Sequence, residues 1–66
     1  MKNNLLKDWT IERACDGGVV VVGKIYNDTK NRFENGTEVQ TSAVQQADFA
    51  EGVIFTRNSV YHLEVK

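Results

Sequence analysis

The stretch that decides the fold reads Arg32-Phe33-Glu34-Asn35-Gly36-Thr37-Glu38-Val39-Gln40-Thr41-Ser42. Asn-Gly tolerates positive φ at both central positions of a turn, which the tight type I′ hairpin turn requires. Strand-forming residues flank the dipeptide, because Arg32-Phe33 precede it and residues 37–42 follow it. The stretch therefore predicts a hairpin and, by extension, an antiparallel all-β domain.

The clearest strand pattern lies upstream of this hairpin, in four consecutive valines at positions 19–22 that continue into Gly23-Lys24-Ile25-Tyr26. Branching at Cβ restricts χ1 in a helix and suits a pleated sheet. A run with apolar residues on both faces predicts a central strand. Gly23 inside the strand indicates a bulge or a sharp bend.

Further strands are predicted over residues 9–12, 53–56 and 60–65, where apolar residues are concentrated or alternate with polar ones. Asn58 is the expected positive-φ residue of the last turn. Ala and Gln are good helix formers, so residues 43–51 are expected to form one short helical turn or a plain loop. The pattern predicts a small five-stranded antiparallel SH3-like barrel or a strongly bent sheet around Trp9, the valines, Phe55 and Leu63.

With 66 residues, the chain is predicted to form a tail or cap over residues 1–7 and a single small β-domain over residues 8–66. A chain of this length buries only about 60% of its unfolded surface, and association adds stability to such domains. A self-associated form, for example a dimer, and a solitary monomer both remain open.

The net charge does little to narrow the class of binding partner, because eight basic and nine acidic residues leave a formal net charge of −1. Nucleic-acid binders usually carry a basic excess, so that class is open but not favoured. The longest apolar run, the four valines, is far too short to span a membrane. A single cysteine and no signal-peptide pattern lead us to expect a cytoplasmic protein without a membrane partner.

Catalytic and metal-binding residue sets are not apparent. His62 is the single histidine and is predicted in mid-strand, while Cys15 is the single cysteine and is predicted as semi-buried. A general base needs a nucleophile or a positioned water within reach, and a reactive thiolate needs a cation or helix N-terminus nearby. We therefore expect no catalytic residue, no metal, no cofactor and no enzymatic activity.

Recognition residues are better represented. Arginine and aromatic side chains dominate binding hot spots, and strand ends and loops are where small barrels bind. Burial of Tyr26, Phe33 and Tyr61 in the core is the alternative for the aromatic residues. The candidate binding residues are Tyr26, Arg32, Phe33, Thr41, Ser42, Arg57 and Asn58.

Three segments in order also carry a resemblance: Gly23-Lys24-Ile25-Tyr26, the stretch 32–42, and Thr56-Arg57-Asn58-Ser59-Val60-Tyr61-His62-Leu63. Over residues 23–63 the chain resembles small uncharacterised β-proteins of bacteriophages and mobile elements. The resemblance implies an accessory role, either evasion of host defence by binding a protein or sequestration of a nucleotide signal. The chain departs from the pattern at Asn58, where a glycine is usual.

The leading functional prediction is a non-enzymatic binding module of phage or mobile-element type. It would inhibit or modulate a host defence protein by direct contact, in the cytoplasm of the host bacterium. One alternative is a nucleic-acid-binding small β-barrel that uses Lys24, Tyr26, Arg32, Phe33 and Arg57. The other is an oligomeric sponge that holds an anionic nucleotide in clefts between subunits.

Overall fold

The computed structural model describes residues 3–65, and in that range it contains strands and turns but no helix. Six strands follow one another along the chain. They are β1 (Leu5–Arg13), β2 (Val19–Tyr26), β3 (Thr37–Gln40), β4 (Val44–Asp48), β5 (Val53–Thr56) and β6 (Val60–Leu63). The prediction of an all-β chain is confirmed.

The six strands form one mixed sheet in the order β3-β2-β1-β6-β5-β4. Two three-stranded antiparallel meanders, β1–β3 and β4–β6, meet where β1 pairs with β6 in parallel. The sheet is not closed, since β3 and β4 lie at its two edges. The expected five-stranded antiparallel SH3-like barrel is therefore not observed. Strands that are adjacent in sequence pair within each meander, but the pairing of the first strand with the last brings together the two ends of the chain.

The sheet bends around one core. Its buried members come from β1, β2, β5 and β6, and β2 also contacts β4 although three strands separate them in the sheet. Val21 and Leu63 belong to this core as expected, and Trp9 packs against it. Phe55 does not, because it follows the buried Ile54 along β5 and so points to the opposite, outer face together with its partner Val60, and it is 39% exposed. The core residues are Leu6, Val21, Ile25, Ile54, Tyr61 and Leu63.

Residues 43–51 do not form the expected helical turn, because β4 occupies most of that segment and pairs with β5. Helix propensity is a weak preference that tertiary pairing overrides. The chain then turns between β4 and β5, where the Asp48 Oδ1 accepts a hydrogen bond from the Glu51 N–H at 3.1 Å and Gly52 has a φ of +69°.

Asn35-Gly36 does turn the chain, but not as a two-residue hairpin. The Thr37 N–H donates to the Glu34 carbonyl at 3.1 Å, and only Gly36 of the dipeptide has positive φ (+89°). A positive φ at the third position alone is typical of a type II turn rather than type I′. Arg32 and Phe33 lie in a loop, and β3 pairs with β2 instead. The predicted strand at Arg32-Phe33 is thus wrong.

Three further corrections concern the first residues, Asn58 and the end of the last strand. Residues 5–7 are strand rather than tail, and Leu6 is fully buried because β1 pairs with β2 on one side and β6 on the other. Residues 1 and 2 lie outside the described residues, as does 66. Asn58 is not among the residues with positive φ, and β6 ends at Leu63 rather than at residue 65.

Gly23 marks a bulge, and the extra residue lies on β1. Asp8 (φ +51°) and Trp9 both oppose Gly23, between the register pairs Lys7–Lys24 and Thr10–Val22. A Cβ on Gly23 would lie 3.0 Å from the Cβ of Trp9 and 3.1 Å from the Lys7 carbonyl oxygen. The bulged strand therefore approaches β2 so closely that a Cβ at position 23 would require β1 to move by a few tenths of an ångström.

Candidate binding surfaces

The loop between β2 and β3 is organised by a buried carboxylate, that of Asp28 (6% exposed). Its Oδ2 accepts a hydrogen bond from the Arg32 backbone N–H at 2.7 Å, and its Oδ1 accepts from the Arg32 Nη2 at 3.3 Å. The Asn31 N–H donates to the Asp28 carbonyl at 3.1 Å, with Asn31 at a φ of +53°. The short polar residues that made this segment read as a loop thus build a specific turn.

Burial and hydrogen bonding act in opposite directions on this carboxylate. Burial raises the pKa of Asp28, but the backbone and side-chain hydrogen bonds from Arg32 and its positive charge outweigh burial and hold the pKa below its usual value. The same carboxylate, together with the Tyr61 hydroxyl, raises the pKa of Arg32. Arg32 is therefore committed to a structural ion pair, while its guanidinium also lies 5.2 Å from the ring centre of Phe33.

Asn4 connects this loop to the strands, and only its residue type could have indicated this role in advance. Its backbone N–H donates to the Asn27 carbonyl at 2.9 Å, and its Nδ2 donates to the Val60 carbonyl at 3.1 Å. Its Oδ1 accepts from the Thr29 N–H at 3.0 Å. Asn4 adopts a φ of +51°, which asparagine tolerates better than most residues. The start of β1, the loop and β6 are held together through this one residue.

Several of the predicted binding residues meet at one end of the sheet. The Lys30 Nζ donates to the Asn58 carbonyl at 3.3 Å and joins the loop 27–36 to the β5–β6 turn. Val44 is the register partner of Thr56. Ser42, which precedes β4, therefore lies beside Arg57 and Asn58, which follow β5. Ser42, Arg57 and Asn58 are exposed. We call the side chains of Lys30, Arg32 and Arg57 the basic end.

Thr41 and Tyr26 have structural partners. Thr41 is only 3% exposed, and its Oγ1 accepts from the Val21 N–H at 3.1 Å and donates to the Ser42 carbonyl at 2.9 Å. It thereby continues the edge of β2 beyond the end of β3. Tyr26 is half-buried at the end of β2, with the Lys7 Nζ 4.7 Å from its ring centre. Phe33 is 40% exposed and remains accessible at the surface.

A second surface was not anticipated from the sequence. An apolar groove of about 320 Å³ lies between β4 and the β1–β2 hairpin. Three large side chains on it are exposed: Ile11 by 48%, Val19 by 42% and Phe49 by 57%. We call this surface the β4 groove; Val44, Gln46 and Ala47 also line it. Its only sequence signal is Phe49, a large aromatic residue in an otherwise small and polar segment.

The apolar surface continues beyond Phe49. The Phe49 ring stacks on Trp9, with ring centres 6.5 Å apart and planes inclined by 20°. Trp9, Phe49, Gly52 and Leu63 line a second groove of about 210 Å³. The Trp9 indole N–H donates to the Glu64 carbonyl at 2.8 Å and so fixes one wall of it. Phe49 therefore lies between two adjoining grooves.

The residues with potential for catalysis do not assemble. His62 pairs with Leu5 at the start of β1, where its Nδ1 lies 2.9 Å from the Asn3 carbonyl oxygen. Cys15 is exposed in the turn after the far end of β1. A strand of nine residues separates them by more than about 20 Å. Among residues 3–65 no three histidine, cysteine, aspartate or glutamate side chains cluster as a metal site.

Within residues 3–65 no helix is long and apolar enough to cross a membrane. Comparison of the chain with protein-family models, with curated proteins and with solved structures finds no match.

Proposed function

We propose that this protein is a non-enzymatic binding module that acts by direct contact with another protein. In keeping with the resemblance to phage and mobile-element proteins, we propose a host defence protein as the partner and the host cytoplasm as the place of action. The observation that carries the proposal is the β4 groove, where exposed apolar side chains flank a sheet edge with which no other strand in residues 3–65 pairs.

Both features of this surface favour a protein partner. Contiguous exposed apolar patches mark interaction sites, and an unpaired strand edge presents backbone groups to a partner. Phe49 is more than half exposed, which is unusual for a large aromatic side chain and suits an interface anchor. Complete burial of such a side chain on binding contributes about 1.5–3 kcal/mol.

A photo-crosslinking residue at position 49 tests the proposal in the bacterium that produces the protein. The matched control carries the same residue at position 38, an exposed position on β3 at the opposite edge of the sheet. We expect one dominant host protein to crosslink from position 49 and not from position 38. No crosslink, or the same set of products from both positions, contradicts the proposal.

A second candidate function, binding of a phosphate-bearing ligand, is favoured by the basic end. The Lys30–Asn58 hydrogen bond and the β4–β5 register bring Lys30, Arg57 and Ser42 to one end of the sheet. Lysine, arginine and hydroxyl groups are ordinary phosphate ligands. This arrangement supports the nucleic-acid reading and the nucleotide-sponge reading equally, since both ligands present phosphate.

Titration at low salt separates these readings. Mononucleotides, cyclic dinucleotides and a single-stranded oligonucleotide are each added to the wild-type chain and to Arg57→Ala. Lys24→Ala is the control, because the structure places Lys24, a nucleic-acid contact expected from the sequence, in β2 with its Nζ 3.6 Å from the Asp8 carboxylate rather than in the basic end. Specific binding is lost in Arg57→Ala and kept in Lys24→Ala, and oligonucleotide binding weakens steeply with salt. Equal loss in both variants, or no binding, removes this candidate.

A further inference from the structure

We infer that the partner docks by adding one extended strand to the outer edge of β4, through a segment of about five residues with alternating apolar side chains and a basic residue beyond one end. This inference rests on the proposed function and specifies how the β4 groove is filled. Addition of a strand to an exposed sheet edge is a general mode of peptide recognition, with affinity from backbone hydrogen bonds and specificity from alternate side chains.

The backbone of β4 is oriented for such an addition. The Thr56 N–H donates to the Ser59 carbonyl, and the Gly52 carbonyl accepts from the Leu63 N–H, so Gly52 and Thr56 both bond on the side of β6. Every second residue of a strand bonds to the same side, so Ile54 also bonds toward β6. Val53 and Phe55 then bond toward β4, to their register partners Asp48 and Gln46. The same alternation turns the N–H and C=O of Ala47 away from β5, toward the unpaired edge.

The position of this edge limits what can occupy it. The β4 groove is bounded on one side by β4 and on the other by Ile11, Val19 and Val21 of the β1–β2 hairpin. β3 pairs with Val22 to Ile25 of β2, and Thr41 extends that pairing to Val21, so only the very start of β2 has no neighbour on this side. The groove therefore lies between the start of β2 and the unpaired edge of β4. A strand added to that edge would lie along the groove.

Surface area favours a short segment over a second copy of the chain. A stable protein interface takes about 20–30 residues and about 800 Å² from each partner. The groove is lined by nine residues, and two of them, Val21 and Ile54, are already buried. The seven that remain are far fewer than the number that each subunit of a stable dimer contributes. The remaining residues provide the length of one strand, matched to the five residues of β4.

Charge points to the flank of that segment. None of the lining residues is charged, so the central part of the partner segment is apolar or neutral. Residues 42–56, which include β4 and the following turn, contain Asp48 and Glu51 and neither lysine nor arginine. A basic residue beyond the end of the added strand complements these carboxylates, and such rim charges set specificity and association rate.

The test is selection of a displayed random heptapeptide library on the immobilised full chain. Ala47→Pro is the blocking variant, because proline is tolerated on an edge strand where its missing N–H would face outward. Glu38→Pro is the matched control on β3. The carbonyls of Val21 and Ile25 accept hydrogen bonds from Thr41 and Gly36, so these two residues of β2 bond toward β3. By alternation Lys24 and its register partner Glu38 do not bond to each other, and the Glu38 N–H faces away from β2. Circular dichroism verifies that each variant is folded.

We expect enriched peptides with apolar residues at alternate positions and a terminal Lys or Arg. They bind Ala47→Pro at least tenfold more weakly than the wild type and bind Glu38→Pro equally well. Trp9, the single tryptophan, reports binding through its stacking on Phe49. If Ala47→Pro does not fold, two N-methylated versions of one selected peptide decide on the wild-type chain. Methylation of one alternate set of amides lowers affinity about tenfold, and methylation of the other set leaves it within about twofold.

Equal affinity for the two methylated peptides, the absence of enrichment, or undiminished binding to folded Ala47→Pro overturns strand addition. A dimer seen by light scattering that dissociates in Ala47→Pro also overturns it, because the occupant is then a second copy. The proposed function is judged separately by the crosslink from position 49. A host crosslink without strand-like peptides leaves the protein partner in place and removes only this docking mode.

Discussion

Replacement of Asp28 by alanine is expected to be among the most damaging changes available outside the apolar core. The substitution removes an acceptor that binds the Arg32 backbone N–H at 2.7 Å and the Arg32 Nη2 at 3.3 Å. A hydrogen bond to a charged group contributes about 1.5–3 kcal/mol, and the Arg32 side chain, being 41% exposed, can turn to water. The lost backbone bond therefore dominates, and the expected cost is about 2 kcal/mol.

The size of the chain makes this cost easy to measure. For domains of about 60–100 residues, 1 kcal/mol corresponds to about 4–8 °C in Tm, so Asp28→Ala should lower Tm by about 8–16 °C. The assay is thermal and urea unfolding followed by Trp9 fluorescence at one fixed protein concentration. Asp16→Ala is the matched control, because the exposed Asp16 carboxylate also accepts one backbone bond, from Gly18 at 2.9 Å.

Asp16→Ala should cost less than about 1 kcal/mol, because water replaces an exposed acceptor. The reasoning is refuted if Asp28→Ala unfolds within about 0.5 kcal/mol of the wild type, or if the two aspartate variants are equally destabilised. Either result would mean that the buried carboxylate does not organise the loop between β2 and β3.

The remaining predictions concern stability in acid, the bulge at Gly23, the hydrogen bonds of Asn4 and the β4 groove. The folded-state pKa of Asp28 is depressed, so the stability that its carboxylate contributes is present above the unfolded pKa near 3.8 and is lost as pH falls through the folded pKa. The urea midpoint should therefore drop more between pH 7 and pH 3 in the wild type than in Asp28→Asn, and an equal drop would contradict this. Gly23→Ala should cost about 2 kcal/mol in urea unfolding, because the new Cβ meets the backbone of β1, and a cost below about 0.5 kcal/mol would contradict the tight bulge. Asn4→Ala should lower the free energy of unfolding by about 2 kcal/mol and speed the amide exchange of Thr29, whose N–H loses its acceptor. Unchanged exchange would mean that Asn4 does not hold the loop. Phe49→Ser should change stability by less than about 1 kcal/mol while altering Trp9 fluorescence, and a cost above about 2 kcal/mol would show that Phe49 is a core residue rather than a surface anchor.

Local patterns predicted β2 and β5 well. The valine run and the segment 53–56 have the residue types and flanking turns of strands, and the structure has strands there. The residues at 43–51 misled, since good helix formers occupy β4. Propensity differences of less than about 1 kcal/mol per residue are small beside the hydrogen bonds and burial that pairing with β5 provides.

The candidate binding residues divide in a similar way. Residue type alone selected Arg32, Arg57 and Asn58, and the structure places them in loops that Lys30 joins. Residue type could not show that Thr41 is buried or that Arg32 is paired with Asp28, because both facts depend on contacts across the fold. The β4 groove escaped prediction for the same reason, since its walls come from segments about 30 residues apart.

The order of polar, apolar and glycine residues along the chain was enough to determine that it forms β-strands joined by turns at Gly17 and Gly36, both of which have positive φ. These choices depend on φ, χ1 and the neighbouring side chains, which are local properties. Tertiary structure alone decided that β1 lies in parallel beside β6, that Leu6 is in the core, and that the bent sheet stops short of closing at β4. Those outcomes depend on which distant segments bury each other's apolar faces, a free-energy balance over the whole fold that no short stretch of sequence contains.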